Sequence, residues 1–194
     1  MFDLGGVLVP SVSVLSALGR ELGVSAEALA AAYWAERGEY DLGGDGGRYW
    51  GGVLARLGRE PAPGLVDRLS AVDAALWSRL PAATAAMLEA VTDAAGVRVG
   101  ILSNAPAALA AAVRAADWSA GMGVLVFSAD LGLAKPDPRI YAAADGVCGC
   151  DPAEVVFFDD RAENVAAARA HGWDAHLWGD PPTALAVLAD RGIG

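Results

Sequence analysis

The stretch Met1-Phe-Asp3-Leu-Gly5-Gly6-Val-Leu-Val9 decides how the rest of this chain is read. An apolar start runs into a single carboxylate, two glycines follow, and the chain then turns apolar again. This is the pattern of a buried strand that delivers Asp3 at its C-terminal end. The glycines let the backbone turn sharply and its peptide groups approach a ligand closely. Only two residues precede Asp3, fewer than the ~5–6 of an ordinary strand. The first strand is therefore expected to be stunted, or the natural chain to begin upstream.

Downstream, residues 11–80 read as helical with interruptions. Ser11 or Ser13 can cap a first helix that Gly23 ends, and Ser25 opens a second running to about Arg37. The run from Gly38 to Gly47 is read as a loop too rich in glycine for regular structure, and as a flexible segment rather than a phosphate cradle. Helices over about 48–57 and 64–79 follow. Tyr33, Trp34, Tyr40, Tyr49 and Trp50 are expected to hold these helices together. From Pro81 the rhythm changes to helices (82–95, 105–116, 138–146, 163–171, 182–190) alternating with short apolar runs (97–102, 123–127, 155–158, 175–178). Continuous apolar strands between helices indicate a parallel sheet covered on both faces, a doubly wound α/β fold.

In such a sheet ligands bind beyond the carboxyl ends of the strands. Asp3, Ser103-Asn104 and Asp159-Asp160 all fall there, with Lys135 in the loop after Phe127-Ser128. Lys135 is the only lysine of the chain, against 13 arginines. Carboxylates packed this closely repel unless a cation neutralises them, and hard oxygen donors suit Mg²⁺. Asp3 can then attack an electrophile to give a covalent intermediate, while Ser103 and Lys135 serve a transferring phosphoryl group.

The stretches FDLGGVL (2–8), ILSNAP (101–106), LGLAKPDPRIY (131–141) and VFFDDRAENVAAARAHGW (156–173) resemble the four motifs of the haloacid dehalogenase superfamily. The resemblance implies a Rossmann-like core of five parallel strands from residues 1–10 and 81–194. A helical cap of residues 11–80 would follow the first strand. It implies an Mg²⁺-dependent phosphatase with Asp3 as nucleophile and metal ligand. The Gly5 carbonyl and Asp160 would bind the metal, with Asp159 a direct or water-mediated partner. Ser103 and Lys135 would hold phosphate, Asn104 would help position it, and Glu163 and Asn164 would cap the next helix or orient the loop.

Position 5 departs from the phosphatase pattern, since Gly5 stands where a second Asp usually protonates the leaving oxygen. Losing a general acid lowers rates by ~10²–10⁴. Three readings follow: a substrate with a good leaving group, such as an anomeric sugar phosphate or an acyl phosphate; an acid borrowed from the cap (Glu39, Asp41 or Asp45); or a vestigial phosphate-binding relative. A 2-haloacid dehalogenase also lacks that Asp, but that family is metal-independent and carries an uncharged pair where Asp159-Asp160 stand.

The net charge of −10 disfavours nucleic acid and anionic membranes as partners. No stretch is long and apolar enough to span a bilayer, and the first residues do not resemble a secretory signal. The expectation is a cytoplasmic monomer or homodimer acting on a small phosphorylated molecule. Cys148 and Cys150, one residue apart, are expected as free thiols.

Overall fold

The computed structural model describes residues 1–94 and 96–193. The expected end of one helix at 95, and residue 194, lie outside them. Five helices come first: α1 (Ser11–Leu22), α2 (Ala26–Ala35), α3 (Arg37–Asp41), α4 (Gly46–Arg56) and α5 (Leu65–Trp77). Then α6 (Ala82–Thr92), β1 (Gly100–Ser103), α7 (Ala107–Arg114), β2 (Val124–Phe127), α8 (Ser128–Leu131) and α9 (Pro138–Cys148) follow. The chain closes with β3 (Val156–Asp159), α10 (Ala162–His171), β4 (Asp174–Leu177) and α11 (Pro181–Ala189).

The pairs β1–β2 and β3–β4 are parallel. Between them lies the N-terminal segment, where Phe2 bridges both Ile101 and Phe158. Its backbone is fully used: Phe2 N–H donates to the Gly100 carbonyl at 2.9 Å, Leu102 N–H to the Phe2 carbonyl at 3.0 Å, and Asp3 N–H to the Phe158 carbonyl at 2.9 Å. Five strands were expected, but among the described residues there are four, joined through this single central bridge. The Gly5-Gly6 turn, in which Gly6 N–H bonds back to the Val9 carbonyl at 2.9 Å, ends the extended run immediately after Asp3.

Two apolar layers cover the sheet. One gathers Phe2, Leu4, Ile101 and Phe158 with the first five helices; the other gathers Leu102, Val126, Tyr141, Phe157, Val165 and Trp173. Neighbouring strand residues thus serve opposite faces, which is why the strands read as unbroken apolar runs. Each fully buried side chain of this size contributes ~1.5–3 kcal/mol.

Two expectations need correction. The glycine-rich run is not wholly a loop, because α3 occupies Arg37–Asp41 and α4 begins at Gly46, where the Asp45 carboxylate accepts from Arg48 N–H. A cap and local ion pairing outweigh the low helix propensity of glycine there. Cys148 and Cys150 form a disulfide rather than two free thiols. Gly149 ends α9 in a left-handed conformation (φ 64°) and brings the two Cα atoms to 5.3 Å, within the range a disulfide spans. No helix among the described residues is long and apolar enough to cross a membrane.

Candidate active site

Beyond the C-terminal edge of the sheet lies a cavity of about 670 Å³. The core lines its floor with Asp3, Gly5, Gly6, Ser103, Asn104, Lys135, Asp160 and Asn164. The helices after the first strand supply Trp34, Arg37, Asp41 and Trp77.

Asp3 sits where the central backbone leaves the sheet. Its Oδ1 accepts from Leu4 N–H at 2.7 Å and lies 3.0 Å from Lys135 Nζ. Burial pushes its carboxyl above the ordinary range; Lys135 and a hydrogen bond from Ser103 pull it back, and the charge of Asp159 adds to the rise.

Asp159, at the end of β3, is wholly buried and fully engaged. Oδ2 accepts from Lys135 Nζ at 2.6 Å, while Oδ1 accepts from Arg161 N–H and from Asn164 Nδ2, each at 2.9 Å. Asp160 lies at the rim beside the Gly5-Gly6 turn. Partial burial, with the charges of Asp3 and Asp159, pushes its pKa up to about 6. Gly6 makes this approach feasible: its φ is +81°, and a Cβ there would meet Asp160 Oδ2 at 2.1 Å.

One oxygen from each of Asp3, Asp159 and Asp160 lies within 4.8 Å of the other two. A single ammonium faces these three carboxylates. The Lys135 protons all have acceptors, since Leu102 carbonyl takes one at 2.8 Å and the two aspartates take the others. The group is thus left with excess negative charge and hard oxygen donors, which fits a small divalent cation such as Mg²⁺. Asn164 Oδ1 adds a buried acceptor without a hydrogen-bond partner among the described residues.

Asn104 was expected to help position phosphate. Its side chain is spent elsewhere: Nδ2 donates to the Lys135 carbonyl at 2.9 Å and Oδ1 accepts from Lys135 N–H at 2.8 Å. It acts through Lys135, clamping the loop that carries the ammonium. Asn164 orients Asp159, and Glu163 pairs with Arg161 Nε at 2.7 Å.

Helices α2, α3 and α5 hold a buried cluster that the sequence pattern does not reveal. Arg37 Nε donates to Asp41 Oδ1 at 2.7 Å, and Nη1 lies 3.2 Å from Asp73 Oδ2. Tyr33 OH donates to Asp73 Oδ1 at 2.7 Å and accepts from Trp77 Nε1 at 2.7 Å. The guanidinium lies 4.7 Å from the Tyr33 ring centroid. Ser128 Oγ donates to the Asp41 carbonyl, tying α3 to the core. The Arg37/Asp41 spacing of one helical turn was the available signal, hidden by the surrounding glycines.

The family model for haloacid dehalogenase-like hydrolases matches residues 1–172, and the chain belongs to this family. Over 84 residues it is 35% identical to phosphatase MT3486 of Mycobacterium tuberculosis (strain CDC 1551 / Oshkosh), a stretch covering 42% of this chain and 39% of that protein. Among solved structures, a dehalogenase is 29% identical with a TM-score of 0.68, covering 90% of this chain and 81% of its own. The HAD family enzyme bt-2542 of Bacteroides thetaiotaomicron, solved with magnesium and inorganic phosphate, shares the fold at 18% identity with a TM-score of 0.64, covering 91% of each chain. The core of this chain has the Rossmann-like α/β fold of that family.

Proposed function

We propose that this hydrolase is an Mg²⁺-dependent phosphatase that cleaves a small phosphate monoester through an aspartyl-phosphate on Asp3. The observation that carries this reading is the set of three carboxylates converging within 4.8 Å, with Lys135 as the one ammonium among them. A reaction at a haloacid carbon has no use for a third acidic group beside the nucleophile. A phosphate dianion, in contrast, can approach an anionic nucleophile only where positive charge exceeds what Lys135 supplies.

Asp3, Asp160 and the Gly5 carbonyl would hold Mg²⁺, with Asp159 behind them, and the ion would offset phosphoryl charge when bound. Asp3 attacks phosphorus as the P–O bond to the leaving group breaks, and water later cleaves the acyl phosphate. Ser103 and Lys135 stabilise the transferring oxygens. Asp159 holds the Lys135 side chain in place, and Asn104 fixes the backbone beneath it. The walls over the site shield it from water and select the substrate. The partner is a small phosphorylated molecule, whose charge Lys135 and the metal would have to offset locally against the acidic chain.

A second reading has one specific support. Gly5 leaves no acid at the usual position, as a departing halide would allow, and the 29%-identical dehalogenase points the same way. The two readings separate on one bench. Hydrolysis of an aryl phosphate with Mg²⁺, abolished by EDTA, is the expected result. Release of chloride from 2-chloropropionate in EDTA would instead establish the dehalogenase.

A further inference from the structure

Position 5 offers no proton, and the space beside it is filled. A Cβ at Gly5 would meet Cζ3 of Trp77 at 3.2 Å, and the indole is held by its bond to Tyr33 OH. An acid for an unactivated leaving group must come from elsewhere. Of the three acidic residues around α3 and α4, Glu39 is exposed and paired with Arg48 at 2.8 Å. Asp45 caps α4. Asp41 is the one that lines the cavity containing Asp3.

We propose that Asp41 is a catalytic residue, the general acid that protonates the leaving-group oxygen from the cap side of the cavity. This rests on the phosphatase reading and deepens it: the natural substrate is an ester of an ordinary alcohol, one that needs a proton to leave.

Burial in the surrounding cluster raises the proton affinity of Asp41, and Arg37 stands ready to pair with the carboxylate once the proton has left. One guanidinium, Arg37, serves two buried carboxylates, Asp41 from its own helix and Asp73 from α5. Burial raises the Asp73 carboxyl as well, but that group accepts from Tyr33 OH as well as from Arg37. Asp41 receives only Arg37 Nε on Oδ1, and its Oδ2 has no hydrogen-bond partner among the described residues. Burial raises its pKa to about 6 against the pull of Arg37, with smaller pushes from Asp73 and from Asp3 across the cavity. Tyr49 from α4, itself held neutral by burial, completes the charged and titratable surroundings.

The step balances. Asp3 forms a bond to phosphorus, the bond to the alcohol oxygen breaks with its electron pair, and Asp41 transfers its proton to that oxygen. The resulting Asp41 carboxylate is stabilised by Arg37. It then takes a proton from the water that attacks the aspartyl-phosphate, which releases phosphate and restores Asp3.

The test compares a simple alkyl phosphate with 4-nitrophenyl phosphate, which leaves without help, on the full protein with Mg²⁺. For wild type, the alkyl-to-aryl ratio of kcat/KM should fall as pH rises from 5 to 8, because only the alkyl ester needs the acid. Ionisations of Asp3 and Asp160 act on both esters and cancel in the ratio. Asp41→Asn should lower the ratio about 100-fold and flatten its pH dependence. A pH-independent wild-type ratio overturns the assignment without need of a variant, as does a folded Asp41→Asn protein with an unchanged ratio. Wild-type protein that hydrolyses neither ester overturns the phosphatase reading, and this assignment with it.

Discussion

Lys135 Nζ stands 3.0 Å from Asp3 Oδ1, in a position where its side chain is 1% exposed, and the same ammonium meets Asp159 at 2.6 Å. Removing one partner of a buried ion group leaves uncompensated charge, at a cost of about 3–5 kcal/mol. Lys135→Met should lose stability of that order in urea unfolding without metal, and regain part of it with millimolar Mg²⁺. A loss below about 1 kcal/mol would mean that the ammonium does not hold the two carboxylates.

Asp3→Asn keeps the shape of the side chain but removes the attacking oxygen's charge. Turnover of any ester should fall at least about 10⁴-fold, to the level left by binding and electrostatics alone. The hydroxylamine-labile phosphoryl-protein trapped from wild type by acid quench should also vanish. Phosphate affinity, measured by calorimetry, should survive. Full activity in this variant would remove Asp3 as the nucleophile.

The core was legible because its signals are local. Strands β1 and β3 end in a polar residue directly after an apolar run, as in FFDD at 157–160, and α1, α9 and α10 each stop at a glycine. That pattern brings Asp3, Ser103, Lys135, Asp159 and Asp160 to one edge of the sheet, where the structure gathers them. Asp41 was legible as one of three candidate acids, but its pairing with Arg37 stayed hidden for a different reason. Their helix has five residues, and it exists because Arg37 reaches Asp73 on α5, a partner 36 positions away. Nothing local encodes that contact. The contact made by Asn104 was hidden likewise, since its amide is claimed by the backbone of Lys135, 31 residues on.

Gly6 permits Asp160 to reach the site, as its φ of +81° and the 2.1 Å approach of Asp160 Oδ2 to a Cβ position show. Gly6→Ala must move either the turn or the carboxylate. Mg²⁺ activation should shift to concentrations about tenfold or more higher, with a smaller change in KM for the ester. Titration of activity against Mg²⁺ reads this directly, and an unchanged midpoint would dissociate Asp160 from the metal.

Restoring an acid at position 5 should fail. The Trp77 ring lies 3.2 Å from where the new Cβ would be, and Trp77 is itself buried against Tyr33. Gly5→Asp is expected to destabilise the fold by about 1–3 kcal/mol through overpacking and to give no gain on an alkyl phosphate. A rise in alkyl phosphate turnover would show that the ring yields, and that the site still accepts an acid there.

The Arg37 cluster predicts a pH dependence of stability. Burial raises the Asp41 pKa from 3.8 in the ordinary state to about 6 in the fold. Between those values the folded chain holds a proton that the unfolded chain has released, so stability falls as pH rises through this window. Above it the full penalty is on the order of 3 kcal/mol. Asp41→Asn cannot lose the proton and escapes the penalty. It sacrifices part of the Arg37 pairing at every pH, which adds a constant offset. Urea unfolding of both proteins at half-unit steps from pH 4 to pH 8 should therefore show the variant gaining on wild type, most steeply between pH 4 and 6. A difference that stays flat across the range would mean that Asp41 is ionised in the fold as readily as in water, which would also deprive the cap of its acid.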